Sequence, residues 1–452
     1  MKRFLWTISL SLMSFVAISA QSGIDQTAVQ LAAQMVPGWN LGNTMEVPKN
    51  SLSAETSWQS TKTTQAIIDF VKAQGFRSVR IPCSWVAHFN SGTTTINASW
   101  MARVKEVVDY CINDGLYVVL NDHWDNGWLE DNIHVTDAAT VQANKEKLSA
   151  VWTQVAEAFK DYDEHLLFAG LNEPDKDLDP NNWTAAIMNN LVAYEQTFID
   201  AVRATGGNNA KRVLVIQGPK TDINTTVKTT YTNNLPVDNI DNKLMMEIHY
   251  YEPWQFWGME KDESWGKVFY YWGSGNHLSG STHNATHSEE AYVRSQLQKM
   301  KTNFVDKGMP VIIGEYGANW RNISSVSGES QEKHNASIKA FYKTINQVAI
   351  EMGMVPMAWD INAPNQNGTK GIMTLIKRAD CTIFNQYAME GIKEAVASST
   401  GIKGVTQFEN GANDAIFDLC GRQIMASDSD CQLASLPSGI YIVKGKKVIV
   451  RR

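Results

Sequence analysis

The chain has 452 residues, of which 43% are hydrophobic and 19% are charged. This length allows one domain of about 250 residues or more together with a smaller unit. The formal net charge of −7 argues against nucleic acid as a partner, because binding to nucleic acid needs a basic surface.

The first twenty residues have the pattern of a signal peptide. Lys2 and Arg3 precede an apolar stretch over residues 4–18, and Ser19 and Ala20 are small residues suited to cleavage. That stretch is short for a membrane span, and no other segment reaches about 18 apolar residues. We therefore expect residues 1–20 to be removed and the mature chain to be secreted or held at the cell surface, without a membrane span.

Eight short apolar runs recur along the rest of the chain and predict eight strands. Most of them are continuously apolar rather than alternating, as in parallel strands that are covered on both faces. The predicted strands cover residues 38–44, 77–85, 117–124, 166–174, 212–219, 243–251, 309–317 and 354–362.

Helical patterns lie between these runs, with Ser99 as a predicted N-cap and Gly75 and Gly115 as predicted ends. The repeated order of strand and helix predicts an α/β fold, a (β/α)8 TIM barrel over residues 21–398. An open doubly wound sheet is the alternative, although no G-x-G-x-x-G or P-loop follows a strand. The predicted helices cover residues 61–76, 99–116, 147–162, 185–207, 288–308 and 334–353.

Polar and aromatic side chains stand at the C-terminal ends of the predicted strands. In a barrel these ends converge on one face, which carries the active site. A purely structural barrel would not place such groups at nearly every strand end. The residues concerned are Asn43, Arg80, His123, Asn172, Glu173, His249, Tyr251, Glu315 and Trp359.

Two of these residues, Glu173 and Glu315, end the fourth and seventh strands and are expected to face each other from opposite sides of the barrel. Two facing carboxyl groups suit hydrolysis of a glycosidic bond, in which one protonates the departing oxygen. The other attacks the sugar carbon when the separation is about 5–5.5 Å, or activates water when it is about 6.5–9.5 Å.

Neighbouring residues suggest unequal roles for the two carboxyl groups. Arg80 and Tyr251 are candidates to keep one of them ionised, and Asn172 is a candidate donor to a sugar hydroxyl. The other carboxyl group must hold a proton near neutral pH, which needs a drier site or a like-charged neighbour. For His123, a structural role in the core competes with a role in the site.

Aromatic residues are frequent in the long connection after the sixth strand, which contains Trp254, Trp257, Trp265 and Trp272. Long loops are usually functional or disordered, and this aromatic content argues against disorder. We expect about half of these rings to pack the loop and the others to bind sugar rings. Trp359 is the best candidate for a sugar platform, and Trp124 and Trp128 are candidates to extend the cleft.

Seven motifs in this order resemble those of glycoside hydrolase family 5, in its cellulase-like branch of clan A. They are GWNLGNT, GFRSVRIPCSW, VVLNDHW, AGLNEP, EIHYYEP, IIGEYG and MAWD, and they span roughly residues 24–395.

The resemblance implies that Glu173 is the acid/base and that Glu315 is the nucleophile of a retaining mechanism. It implies supporting or substrate-binding roles for Asn43, Arg80, His123, Asn172, His249, Tyr251 and Trp359. Trp124 stands where many relatives have a second histidine, and it is included among the substrate-binding candidates.

The chain changes character after about residue 398. Residues 399–452 contain short β runs separated by Gly, Pro and Asp, which predicts a small all-β appendage. DLCGRQI, LPSGIYIV and the basic KVIVRR end resemble the C-terminal sorting domain of type IX secretion cargo in Bacteroidetes. The resemblance implies the type IX secretion machinery as a partner, and a plain β appendage is the alternative.

Five scattered cysteines are too few for a disulfide framework in a chain of this length. Cys83 and Cys111 lie in strong core segments and are predicted to be buried thiols, whereas Cys420 and Cys431 are either paired or free. None of the five has the spacing of metal ligands. No metal or other cofactor is expected.

The favoured function is that of a secreted, retaining endo-β-1,4-glucanase acting on cellulose or a related β-glucan. An endo-β-1,4-mannanase or a xyloglucanase is the alternative within the enzymes, since the motifs do not fix the sugar. Two other classes are a metal-dependent hydrolase using His123, Asp125, Glu173 and His249, and a carbohydrate-binding protein without activity. The last requires one Glu to be missing or displaced.

Overall fold

The computed structural model describes residues 24–365 and 370–400, together with the backbone of four short strands further along the chain. Within these ranges no helix combines the length and the apolar character needed to cross a bilayer. The predicted signal peptide, Cys420 and Cys431 lie outside the described residues.

All eight predicted strands are present and form a closed parallel barrel in chain order, in which β1 also pairs with β8. The predicted (β/α)8 barrel is therefore confirmed. The strands are β1 (Gly38–Asn40), β2 (Ser78–Ile81), β3 (Tyr117–Asn121), β4 (Leu166–Ala169), β5 (Leu214–Gln217), β6 (Leu244–Tyr250), β7 (Val311–Tyr316) and β8 (Val355–Ala358).

The six predicted helices are also present, with shifted ends, and they surround the barrel. The α-helices in the described part are α1 (Ala28–Ala32), α2 (Gln65–Ala73), α3 (Ala98–Asn113), α4 (Ala138–Ala158), α5 (Ala185–Ala204), α6 (Ile223–Thr226), α7 (Thr229–Thr232), α8 (Trp254–Trp257), α9 (Glu290–Asn303), α10 (Gln331–Glu351) and α11 (Gln386–Thr400).

Two details of the helices differ from the prediction. The N-cap of α3 is Asn97, whose side chain accepts from the backbone N–H groups of Ser99 and Trp100, so Ser99 lies inside the first turn. Helix α11 was not predicted because Gly391 weakens its helical pattern. A Cβ at Gly391 would lie 2.4 Å from the carbonyl oxygen of Lys339, so this glycine lets α11 pack closely against α10.

The interior of the barrel is divided into an apolar layer and a polar layer. Towards the N-terminal ends of the strands, residues such as Val119, Val215 and Met245 form a core cluster with α1, which closes this end. Because residues two apart on a strand point the same way, the next layer contains the buried polar side chains of Asn40, Arg80, Asn121, Gln217 and Glu247. This polar layer supports the site above it.

A small antiparallel sheet lies in the C-terminal part of the chain, as predicted for an all-β appendage. Its strands are ordered β12-β11-β13-β14, after a two-stranded ribbon of β9 and β10 earlier in the chain. The strands are β9 (Ile376–Lys377), β10 (Thr382–Ile383), β11 (Ile416–Phe417), β12 (Gln423–Met425), β13 (Gly439–Val443) and β14 (Lys446–Val450). Cys83 and Cys111 are buried free thiols, as predicted.

Candidate active site

The two candidate carboxyl groups meet above the polar layer. One oxygen of Glu173, one oxygen of Glu315 and one ring nitrogen of His249 lie within 4.8 Å of one another. Strands β4 and β7 are three strands apart in the eight-stranded barrel, one position short of diametrically opposite. The spacing of Glu173 and Glu315 is close to the separation of the two carboxyl groups in retaining glycosidases, which is about 5–5.5 Å.

The predicted residues do not all stand at strand ends. Arg80 lies inside β2, His249 inside β6 and Glu315 inside β7, whereas Glu173 and Tyr251 follow their strands. Parallel strands in a tilted barrel bring these different positions to one level. The common property of these residues is therefore their height in the barrel rather than their position in the strand.

Arg80 is buried and contacts four other polar residues at the site. Its Nη1 atom lies 3.0 Å from Oε1 of Glu315 and 3.1 Å from Oδ1 of Asn40. Its Nη2 atom donates to Oδ1 of Asn172 at 2.7 Å, and its Nε atom lies 2.9 Å from Oε1 of Glu247. A rigid, permanently charged guanidinium group suits this role, because it holds several acceptors in fixed directions.

Glu247 is a buried member of the site that the sequence analysis missed. It lies two residues before His249 on β6 and therefore faces the same side of the strand. Gln217 donates to it at 2.6 Å, and Nε2 of His249 lies 3.4 Å from its Oε1 atom. A Cβ at Gly314 would lie 1.9 Å from the same oxygen, so the glycine before Glu315 makes room for this carboxylate.

His249 connects the two candidate carboxyl groups. Its Nδ1 atom lies 2.9 Å from Oε1 of Glu173 and 3.8 Å from Oε2 of Glu315. Burial would lower the pKa of His249, but Glu315, Glu173 and Glu247 outweigh burial and raise the pKa to about 10. The imidazole is therefore a cation at neutral pH and carries a proton on its hydrogen bond to Glu173.

The two carboxyl groups differ in their surroundings. Burial raises the pKa of Glu315 above its ordinary value, against the charges of His249 and Arg80. Burial is also the largest single influence on Glu173, but the hydrogen bond from His249 and the positive charges of His249, Lys176 and Arg80 together outweigh it, and the pKa of Glu173 is lowered. In the free site, the proton shared by Glu173 and His249 thus resides on the imidazole.

Tyr251 donates to the second oxygen of Glu315, Oε2, at 3.0 Å. Burial and the neighbouring carboxylates of Glu315 and Glu173 raise the pKa of Tyr251 well above its ordinary value. The phenol is therefore protonated throughout the working pH range, and it remains a donor. Arg80 and Tyr251 together orient both oxygens of Glu315.

Asn40, which the sequence analysis did not select, contacts Arg80 where Asn43 was the candidate. Asn43 is half-buried, and its backbone N–H donates to Glu46. In the parallel pairing of β1 with β2, Asn40 lies opposite Arg80, and it is the side chain of Asn40 that accepts from Arg80. Among the described residues, no hydrogen bond joins Asn43 to either carboxyl group.

The rings of His123 and Trp359 stack on each other, and Trp359 lines the same cleft as Glu173 and Glu315. The two stacked rings are nearly parallel, with centroids 5.7 Å apart. Burial lowers the pKa of His123 well below its ordinary value, so its ring is neutral. Because Nδ2 of Asn121 lies 3.3 Å from Nδ1 and is a donor, Nδ1 of His123 accepts and its Nε2 atom carries the hydrogen.

The remaining predicted residues lie further out. Trp124 follows β3 with a φ of +40°, and its indole N–H donates to Asp131 at 3.2 Å. Trp128 lies under the ammonium group of Lys147. Asp125 accepts from the backbone N–H groups of residues 85–87, and this anchoring of a loop occupies the carboxylate that the metal-dependent alternative requires.

Glu130 is a second buried carboxyl group that the sequence analysis missed. Its side chain accepts from the backbone N–H of Glu173, and its carbonyl oxygen accepts from Asp175 at 2.6 Å. Burial and the nearby charge of Glu173 raise the pKa of Glu130 well above its ordinary value. No periodic signal marks this residue in the sequence, since it belongs to an irregular loop after β3.

A cleft of about 810 Å³ opens beside the carboxyl pair. Its lining includes Glu173, Glu315, Trp254, Trp257 and Trp359. Trp272, by contrast, is fully buried and donates to the carbonyl of Ser288. Among the loop tryptophans, Trp272 therefore packs the loop, whereas sugar binding by Trp254 and Trp257 stays a prediction.

The sequence profile described as Cellulase (glycosyl hydrolase family 5) matches residues 42–365. Endoglucanase A of Paenibacillus barcinonensis is 35% identical over 388 residues, covering 82% of this chain and 90% of that protein. The xyloglucan-specific endo-β-1,4-glucanase of Bacteroides ovatus is 36% identical over 348 residues, covering 74% of this chain and 65% of that protein.

A solved structure extends the similarity to the fold. It is that of a family 5 xyloglucan-specific β-1,4-glucanase from a ruminal metagenomic library, in complex with XXLG. The two chains are 50% identical with a TM-score of 0.78, over 82% of this chain and 97% of the other. The chain therefore belongs to glycoside hydrolase family 5.

Proposed function

We propose that this protein is a retaining endo-β-1,4-glucanase in which Glu315 is the nucleophile and Glu173 is the acid/base. The observation that carries the proposal is the spacing of the two carboxyl groups, whose nearest oxygens lie within 4.8 Å of each other. That distance leaves no room for the water of an inverting mechanism, which needs about 6.5–9.5 Å. It also argues against a protein that only binds carbohydrate, since both groups are present and close.

In the first step, an oxygen of Glu315 attacks the anomeric carbon while Glu173 protonates the glycosidic oxygen, and the bond between them breaks. Arg80 and Tyr251 orient Glu315 and stabilise its charge. In the second step, Glu173 removes a proton from water, which attacks the anomeric carbon and releases Glu315. The configuration of the sugar is retained because the carbon is inverted twice.

The proton for the first step comes from the hydrogen bond between His249 and Glu173. In the free site it resides on the imidazole, and its transfer over 2.9 Å converts Glu173 into the acid. A sugar bound over Glu173 excludes water from it, which favours the uncharged carboxyl form. His249 and Glu173 thus act as one proton-carrying couple.

Other residues of the site are suited to bind the sugar. Asn172 accepts from Arg80 through its oxygen, so its Nδ2 atom remains as a donor to a hydroxyl beside the reacting carbon. His123 offers its Nε2 hydrogen, and the indole of Trp359 offers a flat face. Asn43 and Trp124 are proposed only as outer contacts of the substrate.

The experiment compares purified Glu173→Gln and Glu315→Gln variants with the parent on carboxymethylcellulose. Each substitution keeps the shape of the side chain, and we expect a loss of turnover of about 10³-fold or more, since positioned acid–base catalysis alone contributes about 10²–10⁴-fold. Unchanged melting curves would verify that the variants fold. Turnover within tenfold of the parent in either variant would remove that residue from its role.

Xyloglucan is the second candidate substrate, and it is favoured by the xyloglucan-specific structure that is 50% identical to this chain. The open cleft of about 810 Å³ can accommodate a branched chain. Initial rates on β-glucan, xyloglucan, mannan and xylan, with the products sized, distinguish the candidates. A preference for xyloglucan of tenfold or more would assign the protein to the second function, and a preference for mannan would contradict both.

We infer that the protein acts outside the cell. The basic and apolar pattern of residues 1–20 supports export, and residues 399–452 carry the motifs similar to a type IX sorting domain. Helix α11 continues to Thr400, so a truncation is best made after residue 400. In a Bacteroidetes host with a type IX system, the full chain should reach the medium or the cell surface, whereas equal secretion of the truncated chain would contradict the sorting role.

A further inference from the structure

A row of aromatic rings leads from the carboxyl pair to the outer surface of the loop between β6 and α9. The ring of Tyr251, which donates to Glu315, lies 4.5 Å from that of Trp257. Trp257 in turn meets the ring of Trp254 edge-on at 4.7 Å. Trp254 lines the main cleft and also a second depression of about 480 Å³ beyond it. The row therefore continues past the part of the protein that the hydrolysis itself uses.

The second depression is marked by an exposed indole that packing does not explain. Trp265 is 65% exposed and Trp254 is 47% exposed, and both line this depression. Large apolar groups grouped at the surface mark binding sites more often than isolated ones do. We call Trp254, Trp265 and the surface between them the outer platform.

The loop holds Trp265 at the tip of a tight turn. The backbone N–H of Glu263 donates to the carbonyl of Gly266 at 2.9 Å, and the reverse hydrogen bond measures 3.3 Å. Asp262 accepts from the N–H of Val268 at 3.0 Å, and Val268 is buried in a small core of its own with Met259. The turn is therefore fixed to a packed base.

The ring of Trp254 is fixed as well. A Cβ added to Gly258 would lie 2.2 Å from Cζ3 of Trp254, so the indole lies directly against the backbone of this glycine. Rings that are already held in place lose little freedom when a ligand binds, which favours affinity. The outer platform is thus built before any ligand arrives.

The chemistry of the outer platform suits a sugar ring. A pyranose has an apolar face of C–H groups, which can lie on an indole, and a polar edge of hydroxyl groups. Glu260, Lys261 and Glu263 line the same depression and offer acceptors and donors to those hydroxyls. A folded protein partner would need a specific interface of roughly 1,200–2,000 Å², with about 20–30 residues on each side, whereas seven residues line this depression.

We propose that the outer platform binds sugar units of the same polysaccharide chain, beyond those held at the carboxyl pair. The inference rests on the proposed glucanase function, and it adds a surface that increases affinity for polymers. A short substrate ends inside the cleft and gains nothing from Trp265. The platform therefore determines a preference for long chains over short ones.

The experiment measures the affinity of the inactive Glu315→Gln protein for soluble β-glucan and xyloglucan. Affinity is read from the loss of electrophoretic mobility in native gels that contain the polysaccharide, compared with gels that do not. Trp265→Ala is added to this background, with Trp265→Phe as the variant that keeps a ring. Val237→Ala is the matched control, because Val237 is 68% exposed and lies on the connection between α7 and β6. In the active background, the same substitutions are compared on an aryl β-cellobioside and on polysaccharide.

We expect Trp265→Ala to weaken polysaccharide binding about fivefold to tenfold, with Trp265→Phe recovering at least half of that loss. The ratio of kcat/KM on polysaccharide to kcat/KM on the aryl cellobioside should fall by a similar factor. If polysaccharide binding and the kcat/KM ratio of Trp265→Ala both stay within twofold of the Val237→Ala control, the proposed outer platform is refuted. If the parent enzyme is active, that result leaves the proposed glucanase function in place. A parent without activity on any glucan would overturn both the glucanase function and the outer platform.

Discussion

The substitution Glu247→Gln tests how charge is organised beneath the site. Three carboxylates, Glu173, Glu247 and Glu315, surround two cations, Arg80 and His249, and Glu247 contacts both cations. Glutamine keeps the shape of the side chain and still offers an oxygen to Arg80. It removes one negative charge that stabilises the imidazolium of His249.

The magnitude follows from the contact that is lost. A hydrogen bond to a charged group contributes about 1.5–3 kcal/mol, and one pKa unit corresponds to about 1.4 kcal/mol. Because Nε2 of His249 is 3.4 Å from Glu247, which is long, the lower end of this range applies. We expect the pKa of His249 to fall by about one unit from its value of about 10.

The sign of the effect on activity is fixed by the couple of His249 and Glu173. The raised pKa of His249 means that the couple holds its proton below about pH 10 and loses it as the pH rises through that value. In Glu247→Gln the proton is lost about one pH unit lower. The alkaline limb of kcat/KM should therefore move to lower pH by that amount.

The assay is the pH profile of kcat/KM on an aryl β-cellobioside, with activity rechecked at neutral pH after each exposure. Glu195→Gln is the matched control, because Glu195 is a buried carboxyl group bound by Tyr231 at 2.9 Å, and its pKa is raised well above its ordinary value by burial. This control should leave the limb unchanged. An alkaline limb that stays in place or moves upward in Glu247→Gln would refute the reasoning.

Three further predictions concern the nucleophile and the stability of the barrel. Tyr251→Phe removes the 3.0 Å hydrogen bond to ionised Glu315, so the pKa of Glu315 should rise and the acid limb of kcat/KM should move to higher pH. The rate at the pH optimum should fall about tenfold. An unchanged acid limb would contradict this prediction. In Glu315→Gly, added azide should restore turnover and give an α-glycosyl azide, and failure of every small nucleophile would count against a covalent intermediate. Glu55→Gln removes the buried anionic partner of Arg103, bound at 2.8 Å, and should lower the free energy of unfolding by about 3–5 kcal/mol in urea. The control Glu106→Gln removes the half-exposed anionic partner of the same guanidinium group and should cost less than about 1 kcal/mol. Equal losses in the two variants would refute the reasoning.

The strands of the barrel were predictable because each one is buried on both faces and therefore appears as a continuous apolar run. The same logic located Glu173 and Glu315, since a charged residue that ends or interrupts such a run has a reason to be there. Glycines such as Gly75 and Gly115 also marked the C-terminal ends of helices α2 and α3 to within two residues. Local patterns therefore account for the order of the elements and for the main carboxyl pair.

The residues that the sequence analysis missed depend on contacts between distant segments. Glu247 shares a strand face with His249, but only closure of the barrel brings it against Arg80. Asn40 and Asn43 belong to one motif, and only the register of β1 against β2 distinguishes them. Glu130 has no periodic neighbour, since a loop carries it to the backbone of Glu173. Register and loop paths are set by the whole fold, which a local pattern does not contain.

A covalent label on one side chain tests the mechanism most directly. A 2-deoxy-2-fluoro cellobioside with a good leaving group should form the glycosyl-enzyme and hydrolyse slowly, because the fluorine disfavours the charge that develops in both steps. Mass spectrometry of the digested protein should place the added disaccharide on the peptide that contains Glu315. A label on Glu173, or inactivation of catalysis with no added mass, would contradict the assignment of Glu315 as the group that attacks the sugar.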